Sequence, residues 1–141
     1  MTFFRSNRSR RLATTILTSV LASLLFACGD PKYQPPAIVV SFSPIPPTSI
    51  NTDSTVGITA VVANDNNNAG VNFTCAPVGA CGLFNPAQIA SNVPTCYQAP
   101  AQVPTGNTVT LTATSVTDPT KSITSAPITI LNGTPVQPCA P

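Results

Sequence analysis

Two kinds of hydrophobic pattern divide the chain. Residues 12–27 are apolar or small and carry no charge, whereas from Ala37 onward apolar residues recur at every second position in short runs. Such alternation places one row of side chains in a core and the other in solvent, so it predicts half-buried antiparallel β-strands. The alternating apolar residues are Ile38, Val40 and Phe42; Val56, Ile58, Ala60 and Val62; Val71 and Phe73; Val109, Leu111 and Ala113; and Ile128 and Ile130.

Turn-forming residues separate these runs. Gly and Asn tolerate positive φ, and Pro fixes φ, so clusters of the three predict tight connections. No sustained 3.6-residue repeat follows residue 28, and proline recurs too often for long helices. About seven short strands in about 100 residues predict an all-β fold, an immunoglobulin-like β-sandwich. The predicted connections are residues 44–47, 64–70, 77–79, 104–107 and 118–119.

The uncharged stretch at residues 12–27 predicts an export signal. It is preceded by four arginines, Arg5, Arg8, Arg10 and Arg11. A positively charged region followed by an apolar region is the pattern of a signal peptide. Its 16 residues fall short of the roughly 20 that cross a bilayer comfortably. A retained transmembrane helix is the alternative.

The end of that stretch, Leu25-Phe26-Ala27-Cys28, resembles the lipobox of bacterial lipoprotein precursors. The resemblance implies cleavage before Cys28 and a diacylglycerol on its thiol, which would be the only cofactor and would make the membrane a partner. It also implies an exported protein held at the cell membrane or, since Gly29 rather than an aspartate follows the cysteine, at the outer membrane, facing the periplasm or the surface. Ordinary secretion with cleavage after Gly29 is the alternative.

These boundaries divide the chain into four parts. Residues 1–27 are the predicted lipoprotein signal peptide, and residues 28–36, which are rich in proline, are an extended tether. Residues 37–131 form the predicted β-sandwich, and residues 132–141 are a C-terminal tail that we expect a disulfide to hold.

Charge and composition limit the kinds of function and partner that we expect. Without the signal the chain has 2 Lys and 4 Asp, so the basic excess disappears and nucleic acid is not an expected partner. The sequence has no His and no Glu, the residues that most often move protons or bind metals. We therefore expect a protein that is not an enzyme and has no small-molecule substrate. A hydrolase built on Asp with Ser or Thr is the remaining enzymatic alternative.

Four further cysteines, Cys75, Cys81, Cys96 and Cys139, make an even number in an exported chain and predict two disulfides with three possible pairings. The short loop between Cys75 and Cys81 favours a hairpin disulfide, which leaves Cys96 with Cys139; a Cys75–Cys96 bond is the alternative. A zinc site fits poorly, because the spacings are not CxxC-like and His is absent.

An oxygen-rich run, Asp65-Asn66-Asn67-Asn68, has the residue types of a calcium loop. One carboxylate with three amides is weak for calcium, which usually takes several carboxylates. A solvated turn between strands is the favoured interpretation.

Residues 108–115, residues 97–100, and Val56–Ala63 followed by an Asn-rich turn into residues 71–73 resemble the bacterial Ig-like domains of surface and exported proteins. The resemblance covers about residues 38–131 and implies the fold, but such modules serve as spacers, stalks and binding domains alike. The expected function is a non-enzymatic, lipid-anchored envelope protein that presents this domain to an envelope protein, a glycan or a surface. The alternative is an accessory subunit that joins a larger assembly through exposed strand edges.

Overall fold

The period-two rows become strands that share one core. The structure, a computed structural model, describes residues 34–139, and all of its regular elements are strands. The predicted signal peptide, Cys28 and the tether up to residue 33 lie outside the described residues. The ten strands are β1 (Val39–Phe42), β2 (Ser49–Asn51), β3 (Thr55–Ala63), β4 (Val71–Ala76), β5 (Leu83–Asn85), β6 (Gln88–Ile89), β7 (Pro94–Gln98), β8 (Thr108–Ser115), β9 (Ser122–Thr124) and β10 (Ile128–Leu131).

The strands form two sheets. The first sheet has the order β1-β3-β7-β5, and the second has the order β2-β10-β8-β4-β6, with β9 also pairing with β8. All pairs are antiparallel except β10 with β2, which is parallel. The longest register joins β4 to β8 from Val71 opposite Ser115 to Ala76 opposite Thr110. The predicted all-β fold is confirmed, with ten strands rather than about seven.

The core is built from the predicted apolar rows. Val71, Leu111 and Ala113 are fully buried, and the intervening Thr residues of β8 remain partly exposed. Tyr97 of β7 is also fully buried, and the ring of Phe84 contacts the rings of both Tyr97 and Phe73. The predicted core residues at strand ends, Ile38, Phe42 and Val56, are half-buried, because fewer neighbours cover the ends of a sheet.

The register places the connections at two opposite ends of the sheets. At the tether end, where the chain leads into β1, the side-chain amide of Asn64 donates a hydrogen bond to the carbonyl of Ala37 over 2.8 Å. We call the other end the loop end. The tether end comprises Ala37, residues 64–70, residues 90–93 and residues 116–121, and the loop end comprises residues 51–54, residues 75–82, residues 99–107 and the C-terminal segment 132–139.

Residues Pro36–Pro141 form one compact unit that contains all ten strands and both disulfides. Its core lies entirely between its own two sheets, so the unit has the interior that an independently folding domain needs. Among the described residues, no helix is long and apolar enough to span a membrane.

Candidate functional site

The loop end is held by two disulfides, in the pairing that the cysteine spacing favours. Cys75, near the end of β4, is bonded to Cys81 with a Cα–Cα distance of 5.7 Å. Cys96, in the middle of β7, is bonded to Cys139 with a Cα–Cα distance of 6.0 Å. Because both bonds tie loop-end segments to strands, they restrict the conformations available to that end of the domain.

The chain approaches β7 so closely just after the disulfide loop, residues 75–81, that position 82 has room only for glycine. Gly82 has φ +89°, and a Cβ at this position would lie 2.1 Å from the carbonyl oxygen of Gln98. Inside the loop end, the phenol of Tyr97 donates a hydrogen bond to the carbonyl of Cys81. Burial raises the pKa of this phenol, so it stays protonated and able to donate at neutral pH.

Hydrogen bonds hold the C-terminal segment against the start of β3. The amide of Thr55 donates to the carbonyl of Val136 over 2.8 Å, and the hydroxyl of Thr55 donates to the carbonyl of Cys139 over 2.7 Å. The amide of Val136 donates to the hydroxyl of Ser54 over 2.9 Å. Ser54 and Thr55 are polar and yet buried, because this segment covers them and satisfies their hydroxyl groups.

A shallow groove crosses the loop end between the disulfide loop and residues 99–107. Its larger part has a volume of about 450 Å³, and an adjoining part of about 310 Å³ reaches Asp53 and Gln98. Two backbone hydrogen bonds hold residues 99–107 to the turn at residues 51–54: Ala99 donates to the Ser54 carbonyl over 2.8 Å, and Asp53 donates to the Pro100 carbonyl over 3.2 Å. Gly79, Ala80, Pro100 and Ala101 line both parts of the groove.

The exposed residue at the tip of the disulfide loop is apolar. Val78 is 95% exposed, and Gly79 beside it has φ +81° with no atom within 4 Å of the position that a Cβ would take. The loop end therefore presents an apolar tip next to a groove lined by small residues, backbone and the amide side chains of Gln98 and Gln102. Such a surface can recognise a partner by hydrogen bonding and apolar contact.

Charge contributes little to this site. Residues 34–139 contain four charged side chains, and Asp53 is the one at the loop end, while Asp65, Asp118 and Lys121 lie at the tether end. Within the same range, no group of three or more potential metal ligands lies together.

Asp65, the carboxylate of the predicted oxygen-rich turn, is used by the turn itself. One oxygen accepts hydrogen bonds from the Thr117 hydroxyl over 2.7 Å and the Asn67 amide over 3.1 Å, and the other accepts from the Ala69 amide over 3.1 Å. These donors, with Thr117 first, lower the pKa of the carboxyl group. The carboxylate of Asp65 is thus surrounded by hydrogen-bond donors of its own turn and of Thr117, which fits a connection between two strands.

The residues predicted to carry chemistry are thus distributed unevenly. The four disulfide cysteines form the two separate bonds that hold loop-end segments to strands, whereas Cys28, the predicted lipid site, lies outside the described residues. Sequence reasoning missed the Ser54–Thr55 contact with the tail and the groove beside residues 99–107. The pairs Ser54-Thr55 and Pro100-Ala101 carry no pattern that distinguishes them from other loops, so no local signal marked them.

We find no match of this chain to a protein-family profile, to a curated protein or to a solved structure. The functional argument therefore depends on the fold and on the chemistry of its surfaces.

Proposed function

We propose that this chain is a non-enzymatic, lipid-anchored envelope protein that presents one immunoglobulin-like domain for binding or adhesion. The observation that carries the proposal is the position of the two ends: the chain leads into β1 at the tether end, and the disulfide-held loops lie at the opposite end. A lipid on Cys28 would therefore leave the loop end free to meet a partner.

The strand order supports the immunoglobulin-like part of the proposal. In that fold, one sheet has the order A-B-E-D and the other contains C, F and G as neighbours. Assigning β1, β3, β7 and β5 to A, B, E and D reproduces the order of the first sheet. Strands β4, β8 and β10 then take the places of C, F and G in the second.

The chemistry of the loop end favours a neutral partner. A charged partner loses hydration on binding and needs a compensating opposite charge, and Asp53 is the one charged side chain that this end offers among the described residues. A glycan or an uncharged patch of another envelope protein can pair with backbone groups, Gln98 and Gln102 without that cost.

The anchor is tested by metabolic labelling. Cells expressing the chain are grown with a labelled fatty acid, and we expect label on the wild-type protein and none on Cys28→Ser, whose domain is released into soluble fractions. The control is Cys96→Ser with Cys139→Ser, which also removes cysteine but should keep the label. An unlabelled wild-type protein contradicts the anchor.

The binding role is tested by capture from detergent-solubilised envelopes and by glycan arrays. We expect a partner that is lost with Val78→Ser combined with Gln102→Ser at the loop end, and kept with Asn67→Ser at the tether end. Equal capture by both variants would show that the binding surface lies outside the loop end.

The accessory-subunit alternative is supported by β9. All three of its residues are exposed, and among the described strands it pairs only with β8. The amide of Ser125 donates to the carbonyl of Leu111, and the amide of Ser115 donates to the carbonyl of Lys121. Because hydrogen-bonded pairs alternate with non-hydrogen-bonded pairs along an antiparallel ladder, the amide of Thr124 points away from β8. A stoichiometric complex that is lost with Thr124→Pro would favour the accessory role over the loop-end role.

A further inference from the structure

The C-terminal segment, residues 132–139, is held in place without burying an apolar side chain. Every residue from 132 to 138 is exposed, and Val136 is 61% exposed. Hydrogen bonds and the Cys96–Cys139 disulfide attach the segment to the rest of the domain. A segment that buries no apolar side chain gains little free energy to offset the conformational entropy that it loses when its backbone becomes ordered.

The hydrogen bonds at the edge of the segment are open to water. The side-chain amide of Asn51 donates to the carbonyl of Thr134 over 2.9 Å, and the side-chain amide of Gln137 donates to the carbonyl of Asp53 over 2.6 Å. Both bonds are exposed, so water competes for the same donors and acceptors and the net gain from each bond is small. The disulfide is therefore the contact that keeps the segment in place.

The turn beneath the segment also holds one wall of the loop-end groove. Asp53 accepts from Gln137 through its carbonyl, and its amide donates to the carbonyl of Pro100 over 3.2 Å. Ser54 accepts from the segment through its hydroxyl, and its carbonyl accepts from the amide of Ala99 over 2.8 Å. Single residues of this turn thus link the C-terminal segment to residues that line the groove.

We infer that the Cys96–Cys139 disulfide is a redox switch for the loop-end groove, an inference that rests on the binding role proposed for that end. When this bond is reduced, the C-terminal segment leaves the turn, and the turn no longer fixes Asp53 and Ser54 against the groove wall. The Cys75–Cys81 disulfide closes only its own short loop, so its reduction leaves the segment in place. The groove is formed in the oxidised chain and loosened in the reduced chain.

The switch operates by thiol–disulfide exchange with a dithiol. A thiolate of the dithiol attacks Sγ of Cys139, because Cys139 is half-buried whereas Cys96 is only 6% exposed. The S–S bond breaks, and Cys96 leaves as a thiolate and takes up a proton. The second thiol of the dithiol then displaces Cys139. The dithiol ends as a disulfide, and two electrons and two protons pass to the two cysteines.

The test uses residues 36–141, the compact unit, in the variant Cys75→Ser with Cys81→Ser. These changes leave Cys96–Cys139 as the one disulfide of the unit that dithiothreitol, a dithiol, can reduce. Mass spectrometry after alkylation of the thiols measures the reduced fraction. Amide hydrogen exchange, which reports local opening, is measured before and after reduction.

Three amides report on the switch: Thr55 donates to the C-terminal segment, and Asp53 and Ala99 form the two bonds between the turn and the groove wall. The amide of Ser115, which donates to the carbonyl of Lys121 at the tether end, is the control. We expect reduction to speed exchange of the three reporters at least about tenfold and that of Ser115 less than about twofold. Re-oxidation should restore slow exchange.

Two results of this measurement would overturn the inference. If Thr55 alone exchanges faster, or if none of the three reporters does, the disulfide does not control the groove. Equal acceleration of the reporters and of Ser115 would mean that the bond supports the whole domain rather than the groove.

Thr55→Val in the same background separates the disulfide from the hydrogen bonds. The change removes the hydroxyl that bonds to Cys139 and keeps the disulfide. We expect slow exchange at Asp53 and Ala99, since the covalent bond still holds the segment. Fast exchange there would show that hydrogen bonding rather than redox state controls the groove, and the inference would be wrong. The measurement needs no partner, so its outcome is independent of the binding role, which capture and glycan arrays test separately.

Discussion

The phenol of Tyr97 and the carbonyl of Cys81 form a buried hydrogen bond that joins the first sheet to the disulfide loop. Tyr97 is fully buried, and its ring stacks at a tilt on Phe84 with 5.0 Å between ring centroids. The bond satisfies a carbonyl at the inner edge of the loop end. It therefore couples the position of the disulfide loop to the packing of the core.

Tyr97→Phe should destabilise the domain by about 1–3 kcal/mol, because the ring remains while the Cys81 carbonyl loses its buried partner. Chemical denaturation at neutral pH measures the loss. Burial raises the pKa of Tyr97 above its ordinary value of 10.0, so wild-type stability should fall as pH rises above about 10 while the phenylalanine variant lacks this dependence. A variant as stable as wild type at neutral pH would show that the bond contributes nothing.

Gly82→Ala should cost about 3 kcal/mol or more, because the new Cβ meets the Gln98 carbonyl and the backbone is left-handed. Gly79→Ala is the matched control, with the same sign of φ but open space around it. We expect it to cost about 1 kcal/mol, which is the conformational part alone. Denaturation midpoints of the two variants give the comparison, and equal losses would contradict the close approach of the loop to β7.

Removing the Cys96–Cys139 disulfide should cost more than removing the Cys75–Cys81 disulfide. The sequence separations are 43 and 6, and the chain-entropy relation gives about 4 kcal/mol for the longer ring and about 2 kcal/mol for the shorter one. Each pair is replaced by two serines so that no free thiol remains, and urea denaturation gives the free energy of unfolding. The opposite order of losses would show that the C-terminal segment constrains the unfolded chain less than its separation implies.

Asp65 should make the domain less stable in acid. Its pKa is lowered in the folded state, chiefly by the Thr117 hydroxyl, so its contribution is complete above the ordinary value of 3.8. The contribution is lost as pH falls from there through the lowered folded value, because the unfolded chain takes up the proton first.

The urea midpoints of wild type and Asp65→Asn, measured from about pH 6 to about pH 2, should therefore converge as the pH falls. Thr117→Val should show a weaker acid dependence than wild type, because it removes the leading cause of the lowered pKa. Parallel curves for wild type and Asp65→Asn would contradict this role of Asp65.

The long strands could be predicted because alternation is a local property. Each buried residue in Val109-Thr110-Leu111-Thr112-Ala113 is separated from the next by a partly exposed threonine. The strands β3, β4 and β8, with 6 to 9 residues each, are long enough for this alternation to repeat. The pairing of Cys75 with Cys81 could also be favoured locally, since a five-residue loop brings the two together.

The short strands β2, β5, β6 and β9 could not be predicted, because two or three residues are too few to show an alternation that repeats. In β5, for example, Phe84 packs against Tyr97 of β7, which follows it by thirteen positions. Strands of this kind form because a neighbouring strand has backbone N–H and C=O groups without partners, and that neighbour is in place only after the sheet has assembled.

The burial of two polar residues arises from contacts that are distant in the sequence. Ser54 and Thr55 are buried because the segment containing Val136 and Cys139 folds over them, some 80 positions later in the sequence. The sequence pattern alone determined strands with one apolar and one polar row and an even set of disulfide cysteines, and it predicts a leader of export type. The arrangement of the loop end came from folding, because it depends on which strands become neighbours and on which distant segments cover them.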